Sequence, residues 1–128
     1  EMCIRDSRLT EFLARNGINY IAKNTNANTI THYIPQKSKN IEACMAEMRK
    51  AFVHATVTGT PVAVVSVIGT NMKIPGFLAK AAKALYEADI NVLALDQVMR
   101  QVNIQFIVSR DDFKKAQIVL HREFVENV

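Results

Sequence analysis

The chain has 128 residues, 49% hydrophobic and 22% charged, with 4 Gly and 3 Pro; at about 100–200 residues per domain this is one ordinary domain or two very small ones, globular rather than disordered or fibrous. The net charge of +4 comes from 16 Lys and Arg with no block of like sign, which argues for a solvated surface and against a nucleic-acid footprint, where basic residues cluster. No stretch of about 18 apolar residues offers a membrane span, and no charged-then-apolar opening offers a secretory signal.

In chain order, the first unit opens directly on a helix containing Leu13; only Glu1 to Ser7 precede Arg8, with no convincing strand. Lys23 to Thr31 holds three Asn and three Thr in and around a hairpin. A helix follows with Ile41, Cys44, Met45, Met48 and Phe52 on one face, a Met-rich stripe at core spacing. Val53 to Thr60 then joins the two units. Val62 to Ile68 is apolar on both alternating faces, as a central strand is. Gly69 to Lys73 reads as a loop and Pro75 as the first helical turn. Phe77, Ala81, Ala84, Leu85 and Ala88 recur at helical spacing. Strands are expected from Asn91 to Leu95 and from Val102 to Val108, around a turn at Gln97 to Gln101. Ser109 then serves as N-cap, with Asp111 and Asp112 behind it. The last helix carries Phe113, Ala116, Leu120 and Phe124 inward.

A constant offset of 72 residues (Ile90 against Ile18) aligns the halves. It pairs Leu13 with Leu85, Ile30 with Val102, Ile34 with Phe106, Ile41 with Phe113, Met48 with Leu120 and Phe52 with Phe124. Strand–helix–strand–strand–helix is the split pattern of ferredoxin-like α+β folds, with helices on one sheet face. Two such units are expected, at 8–58 and 61–128. Both are incomplete: the first lacks its opening strand and the second its closing one. Missing strands expose sheet edges, so the chain reads as part of something longer.

Catalytic patterns are absent: no GxxxxGK, GxSxG or HExxH. Asp111 and Asp112 read as capping charge, and Ser66 as a strand hydroxyl bonded to backbone. Cys3 and Cys44 lie far apart, as in a reduced cytoplasmic protein. His32, His54 and His121 are isolated, so no metal is expected. No catalytic residue and no cofactor is assigned to this chain.

Three places suit a small polar ligand. Asn71, Met72, Ile74, Pro75 and Gly76 lie between a strand and a helix N-terminus, where free N–H groups favour a carboxylate. Asn24, Asn26, Asn28 and Thr29 supply amides and a hydroxyl, though Asn is also a turn former. Asp96 and Gln97, with Gln101 and Asn103, are the matching segment of the second unit; a solvated hairpin is the plain alternative.

Pro61 to Phe124 resembles the C-terminal ACT domain of aspartate kinases. The resemblance is carried by Val62-Ala63-Val64-Val65-Ser66-Val67-Ile68-Gly69, by Met72 to Leu85 around Pro75-Gly76, by Ile90-Asn91-Val92, by Val102 to Val108 and by Ala116 to Phe124. Arg8 to Phe52 resembles the remainder of a preceding ACT domain. The run Asn26 to His32 resembles aspartokinases encoded beside ectoine-synthesis genes. Glu1 to Ser7 does not resemble the family and reads as a foreign junction, in the manner of translated adaptor sequence.

The resemblance implies tandem ferredoxin-like (βαββαβ) ACT domains forming the regulatory module of an enzyme that phosphorylates L-aspartate. The kinase domain of the parent chain, which would use ATP and Mg, is absent here. It implies homodimerisation through ACT domains, and lysine or threonine as effector at the pairing interface. The family's effector positions map to Asn71 through Gly76 and to Lys23 through Thr29. It also implies that the closing strand of the second ACT domain comes from the segment before the first.

Three rivals share the fold. A free-standing tandem ACT amino-acid sensor differs only in what precedes Arg8. An RNA-binding module needs aromatics on the open sheet face, and Phe106 is the one on offer from Val102 to Val108. An acylphosphatase-like enzyme needs an Arg in the loop before the helix, where Gly69 to Gly76 has only Lys73.

Overall fold

A computed structural model describes residues 2–69, 74–97 and 103–126. The chain divides into two compact units, Glu1–Gly59 and Thr60–Val128.

In the first unit, helix α1 (Met2–Arg15) leads to strands β1 (Ala22–Thr25) and β2 (Ile30–Tyr33) and then helix α2 (Ile41–Ala51). The two strands form an antiparallel hairpin in the register Ala22 to Tyr33 and Thr25 to Ile30. Phe12, Leu13 and Ile18 meet Cys44 and Met48 of α2 in a small core, with Phe52 and Val57 packed against it. The Phe12 and Phe52 rings meet edge to face at 5.8 Å. Guanidinium groups cover both rings, Arg8 over Phe52 at 5.0 Å and Arg15 over Phe12 at 5.3 Å. Arg15 also bonds Glu47 of α2 at 2.9 Å, tying the two helices together.

In the second unit, β3 (Val62–Ile68), α3 (Phe77–Glu87), β4 (Val92–Gln97), β5 (Asn103–Ser109) and α4 (Phe113–His121) follow in turn. The sheet is antiparallel in the order β3-β5-β4. Strand β5 is central and β3 an edge among the described residues, the place a fourth strand takes in a complete ferredoxin-like sheet. Alternation places Ala63, Val65 and Val67 on the same side as Ile104, Phe106 and Val108. That side packs on Ala81 and Leu85 of α3 and on Ala116 and Leu120 of α4. Burying one such side chain fully contributes about 1.5–3 kcal/mol.

The units repeat each other at the offset of 72. Helices α1 and α3 end at matching residues, Arg15 and Glu87, and α2 and α4 begin at Ile41 and Phe113. Both first helices end in the same Schellman turn: Gly17 (φ 70) and Asp89 (φ 59) are left-handed. Ile18 N donates to Leu13 O at 2.9 Å, and Ile90 N to Leu85 O at 3.0 Å. The residues that close each turn, Ile18 with Leu13 and Ile90 with Leu85, lie in the core of their unit.

Five local expectations are corrected. Pro75 lies in the turn before α3, because left-handed Gly76 (φ 87) is the N-cap and the helix starts at Phe77. Ser109 makes no side-chain cap bond; a 3-10 turn, Arg110–Asp112, leads into α4 instead. The first helix starts at Met2, well ahead of Arg8, so part of Glu1 to Ser7 is helical. Phe113, expected inward, is exposed at the start of α4, and Phe124 lies past α4 in a π-helical turn, Arg122–Glu126, stacked on Phe77 with ring centroids 4.4 Å apart.

Candidate effector-binding site

The hairpin brings Asn24, Asn26, Asn28 and Thr29 together, and its own geometry uses most of their polar groups. Asn26 Oδ1 accepts from the backbone N–H of Asn28 at 3.2 Å and of Thr29 at 3.1 Å. Asn26 N donates to Thr29 O at 2.9 Å, closing the turn. Thr29 Oγ1 donates to Asn28 Oδ1, and Asn24 Nδ2 donates to Tyr33 Oη, both at 3.2 Å. The run is therefore an Asx turn, which Asn favours because its side-chain carbonyl caps the next backbone N–H groups. Thr25 to Thr29 lie exposed, whereas Asn24 is half-buried.

In the second unit, Gly76 caps α3 without any side-chain bond. Phe77 N reaches Ile74 O at a long 3.3 Å, and Lys80 N bonds Gly76 O at 2.9 Å. The first N–H groups of α3 thus have no side-chain cap, which suits an anionic group. A Cβ at Gly76 would meet nothing within 4 Å, so its left-handed φ, not crowding, favours glycine there. Ile74, Pro75 and Gly76 are exposed. Asn71 and Met72 lie outside the described residues. Gln97 pairs with Ile104 and Asn103 with Ile68, at one end of the sheet. Ile68 is also where the chain leaves β3 for the loop to α3, so these positions gather at one end of the unit.

The structure also contains a polar cluster that the sequence reading passed over. Lys23 and His32 are partners across the hairpin. Lys23 Nζ bonds Asp6 Oδ2 of α1 at 2.8 Å, and His32 Nε2 lies 4.0 Å from Asp6 Oδ1. The His32 side chain is 6% exposed, and neither ring nitrogen has a hydrogen-bond partner. Tyr20 meets its ring edge-on at 5.0 Å. Burial holds the His32 pKa below its ordinary value, against the pull of Asp6. The hydrogen bond to Asp6 raises that of Lys23. No spacing signal could reveal this cluster, because it is assembled by tertiary packing of α1 on the hairpin.

Phe106, the aromatic available to an RNA-binding sheet, is fully buried under the helices. Among the described residues, no group of three or more His, Cys, Asp or Glu side chains gathers to hold a metal. Cys44 is a free, buried thiol whose pKa is raised by burial.

The ACT domain family model matches residues 65–124, from inside β3 to the end of the second core. That stretch takes in most of the second unit, Thr60–Val128. The chain is also 34% identical over 121 residues to the aspartate kinase Ask_Ect of Stutzerimonas stutzeri; the match takes in 94% of this chain and 25% of that protein. The chain thus spans about a quarter of the length of its curated relative. Among solved structures, the aspartate kinase of Clostridium acetobutylicum is similar at a TM-score of 0.86 with 21% identity, covering 94% of this chain and 29% of that one. The ligand-free regulatory subunit of aspartate kinase from Thermus thermophilus is similar at 0.77 with 16% identity, covering 93% and 81%. At such identities these likenesses establish the fold. The resemblance to an ACT domain and to part of an aspartate kinase therefore holds in sequence, and the fold matches that of solved aspartate kinase chains.

Proposed function

We propose that this chain is the regulatory part of an aspartate kinase, two ACT domains in tandem. It would bind a small amino acid and pair with a second subunit. The observation that carries the reading is the 34% identity to Ask_Ect along nearly the whole chain, taken with the repeated helix–hairpin–helix order. The first unit is then an ACT domain whose opening strand is replaced by Glu1–Ser7. The open edge of β3 is the position for a strand contributed by the segment that precedes the first domain in the parent. Ask_Ect similarity and the Asn26 to His32 run together favour the ectoine-linked branch of the family.

In this reading an effector carboxylate meets the uncapped N–H groups of α3, and the exposed Asn26–Thr29 turn of a partner subunit supplies the remaining polar contacts. Lysine and threonine are the effectors to test. Binding biases the arrangement of the regulatory pair, and the parent's kinase domain, which brings ATP and Mg, responds. Coupling of this kind is worth about 1–3 kcal/mol. The test is thermal unfolding of this chain with lysine, threonine, methionine or hydroxyectoine added singly, beside sedimentation at several concentrations. A ligand at about 100 times its dissociation constant adds about 2.7 kcal/mol to the native state. A shift with lysine or threonine and a concentration-dependent dimer support the proposal. A cooperative transition that none of the four moves, in a chain that stays monomeric, overturns it.

A further inference from the structure

We draw no further inference here: the strongest candidate, the buried His32–Asp6–Lys23 cluster between α1 and the β1–β2 hairpin, takes its acidic member from Glu1–Ser7, the segment that stands apart from the family resemblance, and without Asp6 it rests on the titration of a single histidine.

Discussion

Substituting Gly17 by alanine isolates the cost of the turn that ends α1. Gly17 holds φ 70, and a Cβ built there meets no heavy atom within 4 Å. The penalty is therefore backbone strain alone, about 1–2 kcal/mol for an L-residue in the left-handed region. The same change restricts the unfolded chain, which does not offset the strain when the native φ is positive. A net loss of about 1 kcal/mol is expected in the first unit, which corresponds to about 4–8 °C in a domain of this size. Differential scanning calorimetry, with circular dichroism as a second probe, reads it directly. Asp89 occupies the equivalent turn at φ 59, so Asp89→Gly is the reciprocal experiment and should stabilise the second unit. Gly17→Asn should cost less than Gly17→Ala, because asparagine tolerates this conformation. If Gly17→Ala leaves the transition unmoved or raises it, the Schellman turn is not holding the helix end.

Leu85→Ala should cost about 2–5 kcal/mol, because Leu85 is fully buried between α3 and the sheet; urea denaturation measures it, and a loss under 1 kcal/mol would contradict the packing described. Acidification from pH 7.5 to 5.5 should weaken the first unit. His32 has its folded pKa lowered by burial, so its neutral form is favoured; stability is full above the ordinary histidine value near 6.5 and falls as pH drops through it. His32→Gln should flatten that dependence, whereas a histidine that NMR titrates at or above 6.5 would refute the assignment. Asn26→Ala should destabilise the hairpin by about 0.5–1.5 kcal/mol through loss of its turn bonds, while Asn28→Ala should be near neutral for stability. Equal effects of the two on unfolding would show that the turn is not held as described.

Much of the fold was legible because burial repeats with the sequence. Leu13 and Leu85, Ile18 and Ile90, and Met48 and Leu120 are all core residues, and each pair is separated by the same offset. Helix starts were harder. Pro75 and Ser109 carry strong local preferences, yet the left-handed Gly76 and the 3-10 turn at Arg110–Asp112 set the boundaries. Such outcomes are decided by how the incoming strand meets the helix, which local propensity does not encode. Asp89 shows the reverse: aspartate is among the few non-glycine types that adopt the left-handed region, and the offset of 72 sets it opposite Gly17. The candidate site was legible as composition and not as geometry. Asn26 was visible as a polar residue in a hairpin, but only the structure shows its side-chain oxygen committed to the backbone of Asn28 and Thr29. The burial of His32 depends on contacts between segments far apart in sequence and left no trace in spacing.

The most direct test of the regulatory reading is an amide-resolved NMR titration of this chain with threonine and, separately, with lysine. The account predicts saturable shifts from one of them at Asn24 to Thr29 and at Asn71 to Gly76, with the remaining amides of α2 and α4 little changed. Shifts that fail to saturate with either amino acid, or that centre on residues away from both segments, would contradict it.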